Sequence, residues 1–379
     1  MQRPRMKLVF PPIPIGGGRI RIAGMDLGIA SELEDDERGN TWRLMELMDG
    51  TRTVPEIVTD MRAERREVTL EEVGDAVAAL TDAGFVEDAA IRPPAGLSGA
   101  ELERYRRNLE FFSYFHRPPD TPYDFQHRLR QAKVTLLGLG GLGSFVAMSL
   151  VAIGVGDLLL VDYDDVELMN LNRQILYTDS DLGRPKTEAS ADRLRLINPH
   201  AAITTLDAMV DGVSAARAVM SGRDLVICAA DRPRIQLYQW LNEAALAEGV
   251  PWLRGSQSGL TVNLMMHLPH DSACFQCAEQ EALATFPWYG ATQRYFIEVI
   301  GDRTLNPCMA PLAGMIGNLA ALEAVKYLTG MSEPVVRGRM LFIDLLRMRT
   351  ELAEPRRLDD CTACGGASVP TARAGTARA

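Results

Sequence analysis

The sequence predicts an α/β protein: a doubly wound, mostly parallel sheet preceded by a small winged-helix-like α+β domain. Three observations carry that expectation. Lys133–Leu137 and Asp157–Val161 read as buried strands separated by a glycine loop and an apolar helix, the pattern of one βαβ unit. Asp224–Ala230 repeats the strand signal, and the α/β pattern runs on to about Leu346. Ahead of it, Gly18 to Asp88 fits strand-like alternation and three helical stripes into a short stretch.

The bulk numbers exclude several classes. With 379 residues the chain can bury two or three cores, and 47% hydrophobic against 24% charged residues is ordinary for a soluble globular protein. A net charge of −10 argues against general binding of nucleic acid, which needs a basic face. No run reaches the roughly 18 uninterrupted apolar residues of a membrane helix. Met1 to Phe10 lacks the apolar core of a signal peptide, so the expected location is cytoplasmic.

The first elements follow in order. Arg19–Ala23 alternates like a strand, and Trp42, Met45 and Met48 recur at helical spacing up to the Asp49-Gly50 turn. Val54, Ile57, Val58 and Met61 form an amphipathic stripe with Thr53 as N-cap. Thr69 caps the next helix with Glu72 as capping-box partner; its apolar face is Leu70, Val73, Val77 and Leu80. A short strand, Phe85-Val86, closes the segment after Gly84. Domains are accordingly expected at 1–92 and 101–366, with a proline- and glycine-rich linker at 93–100 and a disordered tail at 367–379. A charged helix, Glu101 to Phe112, opens the second domain.

Trp42 to Leu47, the Asp49-Gly50 turn, Thr53-Val-Pro-Glu-Ile57 and Leu80 to Phe85 resemble PqqD-like peptide-recognition domains. The resemblance implies that this fifth of the chain binds a ribosomally made peptide. Winged helices also bind DNA, but the acidic run Glu32 to Glu37 and the lack of a basic recognition helix oppose that use. A structural or oligomerising appendage is the plain alternative.

The chemistry is concentrated between Leu137 and Lys186. Gly138, Gly140, Gly141 and Gly143 let the backbone approach a nucleotide, and the helix from Ser144 points its amides at phosphates. Asp162 ends the second strand, where a parallel sheet places the carboxylate that holds ribose hydroxyls. An NAD-dependent dehydrogenase would explain this much equally well. Asn170, Arg173, Gln174 and Lys186, after the run Asp162-Tyr-Asp164, then break the tie. A dinucleotide enzyme has no need of them, whereas acyl-adenylate formation needs cations on a triphosphate as charge moves onto pyrophosphate. Asp231, just past the end of the Asp224–Ala230 strand, is placed to hold Mg²⁺; a helix N-cap is its plain reading.

Arg104-Tyr-Arg-Arg107, the glycine loop, Asp162-Tyr-Asp164, Asn170-Leu-Asn-Arg-Gln174, Gly183-Arg-Pro-Lys186, Ile197-Asn-Pro-His200, Ala230-Asp231 and Pro311 to Gly317 together resemble the ubiquitin-activating-enzyme-like adenylyltransferases, the ThiF and MoeB family. The resemblance covers about two thirds of the chain. It implies a Rossmann-like fold with ATP and Mg²⁺, ribose on Asp162, and phosphates on Asn170, Arg173, Gln174 and Lys186. It further implies that Arg107 reaches the γ-phosphate of a partner subunit, hence a homodimer.

Six cysteines remain to be placed. Cys274-Phe-Gln-Cys277 and Cys361-Thr-Ala-Cys364 are two knuckles with the bite of a tetrahedral zinc, and four thiolates leave no open position, so the zinc is expected to be structural. Cys228 reads as core. Cys308 is a nucleophile in principle, but its packed surroundings favour a structural role. Phe286 to Ile300, rich in aromatics, reads either as a substrate lid or as an ordinary packed loop.

The expected function is ATP-dependent activation of a carboxylate of a ribosomal precursor peptide, the layout that microcin C and pantocin synthases share. The runner-up is adenylation of a ubiquitin-like sulfur carrier at its C-terminal glycine, which needs no recognition domain. A leader-delivery module without catalysis is third, and the presence of Arg173, Lys186 and Asp231 counts against it.

Overall fold

The computed structural model describes residues 1–23, 30–300 and 307–365. They fall into two compact units, Met1–His127 and Arg128–Ala379. The expected tail at 367–379 lies outside the described residues.

The first unit opens with strands β1 (Pro4–Met6), β2 (Pro12–Gly16), β3 (Arg19–Ile22) and β4 (Ser31–Glu34). Helices α1 (Asn40–Leu47), α2 (Val54–Ala63) and α3 (Leu70–Asp82) follow, then β5 (Val86–Asp88), α4 (Gly99–Arg104) and α5 (Arg106–Phe112). β2, β3 and β4 form one antiparallel sheet, while β5 pairs antiparallel with β1. The closing strand therefore returns to Pro4–Met6, a pairing too short to signal itself in the sequence. Gly16, Gly17 and Gly18 all have positive φ, which lets the chain reverse between β2 and β3.

Both predicted caps form. Thr53 N donates to Glu56 Oε2 at 2.7 Å, and Thr69 N donates to Glu72 Oε2 at 2.8 Å while Glu72 N donates back to Thr69 Oγ1 at 3.1 Å. Met45, Met48, Ile57, Val58, Met61, Val73, Val77 and Leu80 are buried in one core with Phe10 and Phe85. Leu70 departs from expectation: it is the first residue of α3 and lies exposed. The expected helix Glu101 to Phe112 is two helices, because the buried Tyr105 leaves helical geometry between them.

Helix α6 (Pro122–Gln131) leads into the second unit. There β6 (Lys133–Leu137), α7 (Gly141–Ile153), β7 (Asp157–Asp162), α8 (Lys186–Ile197), β8 (Ala202–Asp207), α9 (Val213–Met220) and β9 (Leu225–Cys228) alternate. They are followed by α10 (Gln236–Glu248), β10 (Trp252–Ser258), β11 (Thr261–His267), α11 (Phe275–Thr285), α12 (Tyr289–Tyr295), α13 (Ala310–Thr329), β12 (Met340–Asp344) and β13 (Arg349–Ala353). One eight-stranded sheet runs in the order β13-β12-β11-β10-β9-β6-β7-β8. Its half from β10 to β8 is parallel, and β11, β12 and β13 continue it antiparallel. From β6 the chain winds outward through β7 to β8, then crosses back to β9 and on to β10 on the other side of β6, so the winding diverges at β6. That divergence opens a crevice at the strands' carboxyl ends, where such sheets take ligands.

Candidate active site

A cleft of about 1200 Å³ occupies that crevice, and among the described residues all that line it come from the second unit. Its floor is the turn from β6 into α7. Gly138 has a φ of +94°, and a Cβ there would come within 2.6 Å of Ala230 N, so only glycine lets this turn lie against the end of β9. Gly138, Gly140 and Gly141 face the cleft. Gly143 and Ser144, expected beside them, do not line it. Gly143 packs on the Gly138 carbonyl, and the buried Ser144 hydroxyl donates to Gly140 O at 2.7 Å. Both hold the loop's shape.

Asp162 ends β7 and is tied to that loop. Its Oδ2 accepts from Leu139 N at 2.5 Å, and its Oδ1 accepts from Tyr163 N at 2.8 Å and Asp164 N at 2.9 Å. Burial raises its carboxyl above the ordinary aspartate range, and the Lys186 ammonium opposes that shift. Lys186, buried at the start of α8, pairs with Asp164 through Nζ and Oδ2 at 2.7 Å. A single-turn helix, Leu168–Asn170, carries Asn170, whose Oδ1 accepts from Glu167 N at 3.1 Å. Arg173 Nη1 donates to Met169 O and to Asn172 Oδ1, each at 2.9 Å.

Gln174 is buried, and its Oε1 has no hydrogen-bond donor. Such an oxygen is costly to leave unmet, and a hydroxyl or amino group of a bound nucleotide would satisfy it. Asp231, just past β9, lines the same cleft as these residues. With glycine amides, two cations and carboxylate oxygens on one crevice, the donor set fits ATP with a hard cation such as Mg²⁺. Arg107 belongs to the first unit, where it is exposed and paired with Glu110 at 2.5 Å.

The site also has residues that the sequence reading missed. Tyr177, buried and outside the cleft lining, donates through its hydroxyl to Leu139 O at 2.9 Å and so braces the glycine loop. Arg232, Arg234 and Arg254 line the side away from α8, with Tyr238 and Phe275. A charge such as Arg254 within the apolar strand Trp252-Leu253 was the available signal. Part of the aromatic segment joins this wall: Tyr289, Gln293 and Phe296 face the cleft, and Tyr289 Oη donates to Glu279 Oε1 at 2.6 Å. Phe286 and Trp288 remain exposed. Cys308 also faces the cleft, but burial raises its thiol, against the pull of Arg173, so it is a poor nucleophile as it stands. Cys228 is core, its thiol pushed up to about 12 by burial.

The four remaining cysteines meet away from the cleft. Cys274 and Cys277 Sγ lie 3.7 Å apart, Cys274 and Cys361 Sγ 3.7 Å, and Cys277 and Cys364 Sγ 3.4 Å. All four sulfurs lie within 4.8 Å of one another. A tetrahedral zinc with bonds of about 2.3 Å sets its sulfurs roughly 3.8 Å apart, so the cluster fits zinc.

The model of the ThiF family matches residues 107–363. Molybdopterin-synthase adenylyltransferase of Escherichia coli is 32% identical over 272 residues, covering 72% of this chain and 99% of that protein. The sulfur carrier protein ThiS adenylyltransferase of the same organism is 33% identical, over 66% of this chain and 92% of its own. In shape, the chain is similar to the microcin C7 biosynthetic enzyme MccB of E. coli, solved with N-formylated MccA. The TM-score is 0.76 at 20% identity, over 96% of this chain and 99% of that one. Glycine loop, crevice and relatives agree, and the chain belongs to the ThiF family of ATP-dependent adenylyltransferases.

Proposed function

We propose that this adenylyltransferase activates a carboxylate of a ribosomally made precursor peptide, which its first unit captures. The observation that carries the reading is one of extent. The family model begins at residue 107, so residues 1–106 precede what the family requires. The likeness to MccB, a protein solved with its peptide MccA, spans 96% of the chain. The core of α1, α2 and α3, closed by β1 and β5, supports a PqqD-like, winged-helix-like recognition domain at 1–92, with 93–100 linking it to the adenylation domain at 101–366.

In this reading Asp162 takes a ribose hydroxyl through its remaining lone pair. Asn170, Arg173, Gln174 and Lys186 take the phosphates, beside the backbone of Gly140 and Gly141. A substrate carboxylate oxygen attacks the α-phosphorus and pyrophosphate leaves, giving the acyl-adenylate. Mg²⁺ held by Asp231 would neutralise phosphate charge. Arg173 and Lys186 stabilise the charge that grows on the leaving group. Arg107 completes the γ-phosphate site of a partner subunit in a homodimer. Zinc on Cys274, Cys277, Cys361 and Cys364 is structural, and the protein works in the cytoplasm.

The second reading is adenylation of a ubiquitin-like sulfur carrier at its terminal glycine, supported by the relative that acts on the carrier ThiS. ATP–pyrophosphate exchange separates the two. Peptides encoded beside the gene should drive exchange, whereas exchange driven only by a carrier ending in Gly-Gly would transfer the function to the second reading.

A further inference from the structure

Arg254 projects from β10 on the side of the cleft away from the nucleotide floor, and its guanidinium is held rigidly. Its Nε donates to His267 Nε2 at 3.3 Å. The His267 ring is buried, stacks on Trp252 with centroids 4.6 Å apart, and has Nδ1 3.4 Å from Ala273 O. Burial and the nearby guanidinium depress His267 to about 3, so the ring is neutral: Nδ1 donates to the carbonyl and Nε2 is left to accept. The guanidinium carbon also lies 5.4 Å from the centroid of the Tyr238 ring and 5.3 Å from that of Phe275. Among the described residues no carboxylate pairs with Arg254, and its terminal N–H groups have no acceptor. A half-buried cation fixed in place with no paired carboxylate among the described residues is costly unless an anion arrives.

Its position decides which anion. Gly255, the next residue on the strand, faces Leu142 and Ile316, so Arg254 points to the opposite face of the sheet. β9 separates β10 from β6, which puts the root of Arg254 two strand spacings, about 10 Å, from the strand that carries the glycine loop. The carboxylate being activated must come within bonding distance of phosphorus above that loop. Arg254 reaches the cleft from the far side of β9, a position from which it meets a substrate group other than the one above the loop. A planar fork with both terminal nitrogens unspent matches a carboxylate in two-point contact.

We infer that Arg254 is a specificity residue that binds a second carboxylate of the substrate, so the enzyme selects a peptide with an acidic group close to the one it activates. The inference rests on the peptide-activating reading above. Two sources supply such a group, an Asp or Glu side chain or the free C-terminus of the peptide.

The test is calorimetric titration of the full chain, loaded with the non-hydrolysable ATP analogue AMPCPP. Three probes serve: N-acetyl-Gly-Asp as free acid, the same dipeptide as C-terminal amide, and N-acetyl-Gly-Asn as free acid. The diacid should bind at least tenfold more tightly than either monoacid. Arg254→Gln should collapse that difference, and Arg254→Lys should restore it only in part. If one monoacid loses more affinity on Arg254→Gln than the other, it identifies the carboxylate that Arg254 holds. Equal binding of all three probes, or a diacid preference that survives in Arg254→Gln, overturns the inference. So does a tenfold loss of AMPCPP affinity in that variant, which would make Arg254 a phosphate ligand. Pyrophosphate exchange keeps the two failures apart. Peptide-driven exchange without diacid preference removes only the role of Arg254, whereas carrier-driven exchange with no peptide response removes the peptide reading itself.

Discussion

Lys186 and Arg173 reach the same cleft by different routes, one buried and paired to Asp164, the other half-buried and fixed by backbone carbonyl and amide oxygens. Replacing either by Ala should lower ATP–pyrophosphate exchange on the order of 10²-fold, the usual loss for one transition-state donor. Unchanged exchange in both variants would remove them from the phosphate site. Most of these residues were legible in the sequence because each has a charge or an amide at a fixed distance from a glycine loop. Arg254 and Tyr177 were not, since their partners His267 and Leu139 are brought in by the fold rather than by spacing. The pH response is also set at single residues. His116 is buried, and burial first, then the charge of Lys7, depresses it to about 4. A depressed histidine stabilises the fold above its unfolded value near 6.5, and that contribution is lost as pH falls through 4. The loss is on the order of 3 kcal/mol at most. Urea midpoints measured from pH 7 to pH 4 should fall, and His116→Phe should flatten part of that slope; an identical slope in the variant would refute the assignment.

Elements show where local rules were sufficient and where they were not. Helices α2 and α3 were legible to the capping residues Thr53 and Thr69, because each cap acts on a residue three positions on, Glu56 and Glu72. Thr69→Ala should cost about 1 kcal/mol, read as a shifted denaturation midpoint. No change would mean that tertiary packing alone holds α3. The antiparallel extension β11, β12 and β13 escaped the sequence reading. β11 and β12 pair across α11, α12 and α13, and no local pattern announces a partner so distant. The cysteine knuckles are the counter-example: two pairs 87 residues apart announce each other by chemistry. Cys361→Ser, or prolonged chelation, should lower thermal stability of the whole second unit. Selective loss of catalysis in a protein of unchanged stability would give the metal another role.

For the whole molecule, the point at issue is whether one chain suffices. Arg107 is exposed and paired with Glu110 on its own helix, while Lys186 is buried in the cleft lining. If Arg107 serves a partner's γ-phosphate, mixing Arg107→Ala with Lys186→Ala protein should restore about a quarter of wild-type exchange, through heterodimers with one complete site. No recovery after confirmed subunit mixing would exclude that arrangement.

Phe286 to Ile300 leaves Phe286, Trp288 and Tyr295 open to solvent, between the two cysteine knuckles in sequence. A protease that nicks the chain there releases nothing at first. The fragments on either side stay clamped by the ladder between β11 and β12 and, with metal bound, by four sulfurs. A nicked molecule would elute as an intact one in native chromatography. It would come apart into two pieces only when chelation and denaturant act together, so scission in this segment stays hidden from any assay that leaves the fold in place.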